Sequence, residues 1–149
     1  MPEIRSLEPD DFPNLLVIEA ECFQDGYSPY FLKMIPLLYS NTAFIAMKGR
    51  QALGYVAAAL EQGNPRRAWI LSLAVRPQHR GAGLGEKLMV QALNALARTG
   101  VAEVKLSVAT NNKGAVALYE KLGFETSKSI KDFFGFGKHR ELMVKMLTD

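Results

Sequence analysis

The sequence predicts an α+β domain: a mixed, mostly antiparallel sheet of about seven strands, with about four helices covering both faces. Two observations lead there. Segments with the two-residue or continuous apolar pattern of strands and segments with helical spacing follow one another in the order βααβββαβαββ. A length of 149 residues, 48% of them hydrophobic, supplies one substantial core, so residues 1–149 are expected to form a single domain.

Residues 1–7 form a candidate first strand, and 9–23 have helical spacing. On that helix Phe12, Leu15, Leu16, Glu19, Cys22 and Phe23 share a face that is apolar except for Glu19. A loop is expected at 24–27. Ser28 is a natural N-cap and Pro29 suits the first turn of a second helix, which carries Phe31, Leu32, Ile35 and Leu38. Residues 42–47 and 52–60 read as strands joined by a turn at Gly49-Arg50, and Gln62-Gly63-Asn64-Pro65 has turn chemistry. The nearly unbroken apolar run 68–75 suits a central strand covered on both faces. A glycine-rich segment then leads into a long helix burying Leu84, Leu88, Met89, Ala92, Leu93 and Leu96, with Gly100 placed to end it. Val104, Leu106 and Val108 alternate with Lys105, Ser107 and Ala109 as in a strand. Residues 112–122 are helical in pattern up to Gly123, and two last strands form a hairpin around Gly135-Phe136-Gly137.

Composition narrows the function classes. No apolar run reaches the ~18 residues that span a bilayer, and the N-terminal stretch has no signal-peptide core. The single cysteine, Cys22, cannot form an internal disulfide; its place on an apolar helix face suits core packing. A cytoplasmic protein with no membrane partner is expected. The net charge of +3 is concentrated at Arg76, His79 and Arg80 and again at Lys138, His139 and Arg140. Either run suits a solvated surface or a site for a small polyanion. No zinc-finger, RNP or basic-helix pattern supports nucleic acid as a partner.

Arg80-Gly81-Ala82-Gly83-Leu84-Gly85 lies between an apolar strand and an amphipathic helix. The first N–H groups of a helix lack internal partners and carry partial positive charge. Glycines let the backbone approach an anion closely. Strand, glycine loop and helix together can cradle phosphate, and Arg80 adds a planar cation suited to phosphate oxygens. A P-loop would need a Lys-Ser or Lys-Thr pair, which is missing, and the glycine spacing is not that of a dinucleotide-binding fingerprint. A glycine-rich turn without a ligand is the plain alternative. Downstream, Asn112 and Tyr119 are seven residues apart on one helix and share a face. Tyr119 alone would suit a half-buried amphipathic side chain.

With these residues the chain resembles the GCN5-related N-acetyltransferases (GNAT). Residues 80–85 match the family's Q/R-x-x-G-x-G/A hallmark between the fourth strand and third helix, and Leu73-Ala74-Val75-Arg76-Pro77 looks like the exit of that strand. Asn112, Ala115, Leu118, Tyr119, Gly123 and Phe124 match N-x-x-A-x-x-L-Y-x-x-x-G-F at every fixed position. The resemblance implies the fold of that family and acetyl-CoA as cosubstrate, with no metal. It implies direct attack of a neutral amine on the thioester. The edge of Leu73, Ala74 and Val75 would bind pantetheine as an added strand would, and an N–H near Val75 would polarise the acetyl carbonyl. Residues Arg80, Gly81, Ala82, Gly83, Leu84 and Gly85 would hold the pyrophosphate. Asn112 would contact the coenzyme, and Tyr119 would protonate the departing thiolate. The fourth and fifth strands would splay to admit the acetyl arm. The acceptor would be a small-molecule amine or a peptide N-terminus, and the protein a monomer or homodimer.

The pattern is most similar to the ribosomal-protein alanine N-acetyltransferase branch. There a glutamate on the fifth strand removes the amine proton; here Ser107 stands at that position, and serine is too weak a base. Asp132-Phe133-Phe134-Gly135-Phe136-Gly137 resembles the aromatic hairpin that clamps peptide N-termini, with phenylalanines for tyrosines and Lys138-His139-Arg140 for acids. That basic run favours an acceptor carrying negative charge. His139 is read just after this hairpin, either as an exposed histidine or as part of a proton route. An acetyl-CoA sensor without turnover is the competing function.

Overall fold

The expected order of elements is the order found over residues 2–147, which the computed structural model describes. The strands are β1 (Glu3–Ser6), β2 (Ala43–Lys48), β3 (Gln51–Glu61), β4 (Asn64–Val75), β5 (Glu103–Ala109), β6 (Glu125–Ile130) and β7 (Arg140–Met146). The helices are α1 (Phe12–Cys22), α2 (Pro29–Leu38), α3 (Leu84–Arg98) and α4 (Lys113–Lys121). The strands form one sheet in the order β1-β2-β3-β4-β5-β7-β6. The pairs β1–β2, β2–β3, β5–β7 and β6–β7 are antiparallel and β4–β5 is parallel. This is the GNAT-type α+β fold. The last strand lies between β5 and β6, a placement that the periodicities do not specify.

The chain divides into two compact units. One runs through Ala59 and resumes over Leu71–Arg98; the other comprises Leu60–Ile70 and the chain from Thr99 onward. Strand β4 supplies its first half to the second unit and its last five residues to the first.

In the first unit, Leu15, Ile18, Leu32, Ile35, Ile45 and Tyr55 form the centre of the core. Ser28 caps α2 as expected, its hydroxyl accepting the Phe31 N–H at 3.2 Å, a contact worth about 1 kcal/mol. Pro36 removes one helical donor, and α2 ends two residues later. Helix α3 buries all six expected residues, Leu84, Leu88, Met89, Ala92, Leu93 and Leu96; each fully buried Leu or Met contributes roughly 1.5–3 kcal/mol. Two expected core residues are displaced. Phe23 is extended and exposed because α1 stops at Cys22, and Ile18 takes its share of the buried face. Leu38 is exposed at the end of α2.

In the second unit the inward residues of β5, Val104, Leu106 and Val108, are buried with Phe124, Leu142 and Met143. Strand β4 starts at Asn64, four residues before the apolar run, so Pro65 lies within a strand rather than a turn. Its N-terminal end is held by side chains: Arg67 bonds Glu61 at 3.1 Å and Glu103 at 2.6 Å, and Trp69 Nε1 donates to Glu61 at 2.9 Å.

Candidate active site

The first unit carries the β4 edge and the glycine loop. The Arg76 N–H donates to the Leu53 carbonyl of β3 at 2.9 Å. Backbone groups alternate sides along a strand, so Val75, Leu73 and Leu71 turn theirs away from β3. The β4–β5 register covers Arg67, Ala68 and Trp69. Beyond it, side chains of the first unit occupy two of the outward carbonyls. Tyr27 Oη donates to Leu71 O at 2.6 Å. Val75 O accepts from Arg80 Nε at 2.8 Å and from Cys22 Sγ at 3.4 Å. Leu73 lies between these two capped positions, and Ala74 faces β3.

The turn Pro77–His79 leads into the loop, and α3 begins at Leu84. Gly81 and Gly83 have φ of +88° and +80°, and a Cβ on either would meet nothing within 4 Å. Both needs are met by glycine alone: left-handed backbone and open space in front of it. Ala82 joins them, and Gly85 lies in the first turn of α3. The Nε2 atom of His79 is the one buried side-chain atom among the described residues without a hydrogen-bond partner. An open glycine cradle at a helix start, with Arg80 exposed at its entrance, fits an anionic ligand such as a pyrophosphate. Of the basic run here, Arg76 is committed internally: it forks onto Glu21 at 2.8 and 2.9 Å and donates to Ala52 O at 3.1 Å. Arg80 is the exposed cation at the loop.

The second unit carries Asn112 and Tyr119 at the two ends of α4. Asn112 is the N-cap, its Oδ1 accepting the Ala115 N–H at 3.1 Å. The cap uses the amide oxygen and leaves the amide nitrogen for another partner. Tyr119 is 8% exposed and meets Phe124 edge-to-face at 5.9 Å. Burial pushes its hydroxyl up to about 12, with the Arg140 cation opposing that rise. A phenol so placed stays protonated at neutral pH and can only give a proton away.

At the position where the related branch carries its glutamate, Ser107 is engaged by a cation. Ser107 Oγ accepts from Arg140 Nε at 3.2 Å, and Ser107 O accepts from Arg140 Nη2 at 2.9 Å. The guanidinium also lies 5.0 Å from the Phe134 ring. Sequence reasoning missed this pair because its members are 33 residues apart; the signal was a cation opening the last strand. The place of His139 differs from the expectation. It lies within the β6–β7 connection, not after it, and its Nδ1 accepts the Asp132 N–H at 3.0 Å. That bond ties His139 to the hairpin backbone. Glu61, at the end of β3, is engaged by Trp69 and Arg67 and is not a free base.

Among the described residues, no group of three His, Cys, Asp or Glu is arranged to hold a metal, and no helix is long and apolar enough to cross a membrane. Residues 1–124 match the family described as "Acetyltransferase (GNAT) family", and the chain belongs to that family. An N-alpha-acetyltransferase of Saccharolobus solfataricus is 25% identical over 97% of this chain and 92% of its own length. The N-terminal acetyltransferase complex ARD1 subunit homolog of Dictyostelium discoideum is 31% identical over 91% of this chain and 68% of its own. The crystal structure of Ard1 from Thermoplasma volcanium shares the fold at a TM-score of 0.91, with 20% identity and 99% of each chain covered. The likeness thus extends to N-α-acetyltransferases broadly and does not single out the ribosomal-protein alanine branch. The chain is an acetyl-CoA-dependent acetyltransferase that transfers acetyl to an amine.

Proposed function

We propose that the described chain acts as one acetyltransferase domain over 1–149, in the cytoplasm, on the α-amine of a peptide N-terminus or of a small molecule. In this reading Gly81–Gly85 and Arg80 hold the pyrophosphate, the outward backbone groups of Leu73 and the outward N–H of Val75 hold the pantetheine, and Asn112 gives its amide nitrogen to the coenzyme. Acetyl-CoA supplies a thioester whose acyl carbon the neutral amine attacks. The new C–N bond forms as the C–S bond breaks. Tyr119 gives its Oη proton to the departing sulfur, the amine's spare proton leaves to water, and a proton from water restores the Tyr119 hydroxyl. The observation that carries this reading is the buried Tyr119, a proton donor held neutral by its surroundings.

No side-chain base is assigned at Ser107, because a hydroxyl accepting from Arg140 is a still poorer proton acceptor than a free one. An α-amine with a pKa near ~8 is already partly neutral at pH 7. The test is thiol release from acetyl-CoA across a panel of amines and peptides, including one with N-terminal alanine, measured from pH 6 to 9. Turnover should rise with a limb at the acceptor amine's own pKa, and His139→Ala should keep that limb. A limb that disappears in His139→Ala defeats the base-free route, and release with no acceptor at all defeats amine transfer.

A further inference from the structure

The one polar residue on the apolar face of α1 is Glu19, and it is 4% exposed. A buried carboxylate is costly unless its oxygens are satisfied, and both are. Oε1 accepts from Tyr55 Oη at 2.5 Å, and Oε2 accepts the Tyr27 N–H at 3.0 Å. Tyr55 belongs to β3 and is wholly buried, and Tyr27 belongs to the segment between α1 and α2. Glu19 therefore ties that segment to the core through one strong acceptor pair. Gly26 shows how close the fit is. A Cβ there would lie 2.5 Å from Glu19 Oε2, so a side chain at this position would displace the carboxylate from where it holds Tyr27.

The consequence falls on the β4 edge. Held at its amide, Tyr27 places its hydroxyl on Leu71 O, the outward carbonyl next upstream of Leu73, with Phe31 against its ring at 4.6 Å. A coenzyme lying from the glycine loop past Val75 and Leu73 would point its acyl end at this tyrosine. We infer that Glu19 is a positioning residue of the acceptor site. It latches the α1–α2 segment so that Tyr27 closes the upstream end of the open β4 edge and forms the wall against which the acceptor amine is presented. This rests on the coenzyme placement proposed above.

Three variants separate positioning from bulk stability. Glu19→Leu removes both acceptors while filling the space, Glu19→Gln keeps the shape and one carbonyl acceptor, and Tyr27→Phe removes only the hydroxyl. Glu19→Leu and Tyr27→Phe should each raise the acceptor KM by about three- to ten-fold, the range of one net hydrogen bond. Coenzyme affinity by calorimetry should stay within about two-fold, since neither side chain reaches the glycine loop. Glu19→Gln should restore most of the loss, and Glu19→Leu combined with Tyr27→Phe should be no worse than either alone. Backbone hydrogen exchange reads the latch without turnover: residues 24–28 should exchange faster in Glu19→Leu while α3 is unchanged. An acceptor KM at the wild-type value in Glu19→Leu, or unchanged exchange over 24–28, overturns the inference. A wild-type protein that releases no thiol with any amine overturns the function proposed above, and the exchange result still decides the latch.

Discussion

Tyr119 has two assets that a surface tyrosine lacks: a fixed ring and a proton it does not lose. The ring is fixed by burial and by Phe124. The proton is kept because charge on a buried phenolate is unfavourable, and Arg140 offsets only part of that cost. The same cation has a second consequence. In the proposed transfer, where Tyr119 gives up its proton, the nearby guanidinium would favour the transient phenolate, so the cation that engages Ser107 would also assist the acid. Tyr119→Phe keeps the ring and its contact with Phe124 and removes the proton alone. Turnover should fall by roughly 10²-fold, the scale of one general acid, with coenzyme affinity little changed. Rapid-quench measurement of the acyl-transfer step, with calorimetry for the coenzyme, checks both halves. An unchanged transfer rate would remove Tyr119 from the chemistry.

The glycine loop and the start of α3 form one element, in which backbone conformation rather than side-chain chemistry would make the proposed pyrophosphate site. Gly81 and Gly83 hold φ values that cost an L-residue about 1–2 kcal/mol, and the space before them is open. A side chain added there has no clash within the protein, so the fold should survive; the conformation and the ligand space should not. Gly83→Val should therefore weaken acetyl-CoA binding by at least about ten-fold and lower stability by about 1–2 kcal/mol. Calorimetric titration of the variant, alongside its urea unfolding curve, separates the two effects. Unchanged affinity in a folded protein would move the pyrophosphate elsewhere. Element-level features of this kind were legible in the sequence, because a strand, a glycine run and an amphipathic helix are contiguous and local physics fixes their form. Ser28 at its cap, the buried face of α3 and Asn112 at the start of α4 were legible for the same reason. The Ser107–Arg140 pair, the Glu19–Tyr27–Tyr55 cluster and the use of His139 as a hairpin tie were not. Each depends on residues brought together by strand order or by a loop's path, and no periodicity records those.

At the scale of the whole molecule, each compact unit encloses one buried phenol: Tyr55 in the first and Tyr119 in the second. Burial raises both above the ordinary tyrosine value, and Tyr55 is raised further by the neighbouring Glu19 charge. In the unfolded chain both titrate near ~10. Between about pH 10 and 12 the unfolded state therefore loses these protons while the folded state keeps them. The folded state then binds more protons than the unfolded one, so stability must fall as pH rises through that window. The contribution is fully present below pH 10. For Tyr119 alone, with a folded value of about 12, the loss from pH 8 to pH 11 is about 1.4 kcal/mol, enough to move a urea midpoint measurably. Urea unfolding at pH 8, 10 and 11 should show this decline, with 295 nm absorbance reporting tyrosine ionisation as the chain unfolds. Tyr119→Phe should flatten the decline by about that amount and leave the Tyr55 share in place. A stability that is level from pH 8 to 11 in the wild-type protein would mean that neither phenol is buried in solution as the fold requires.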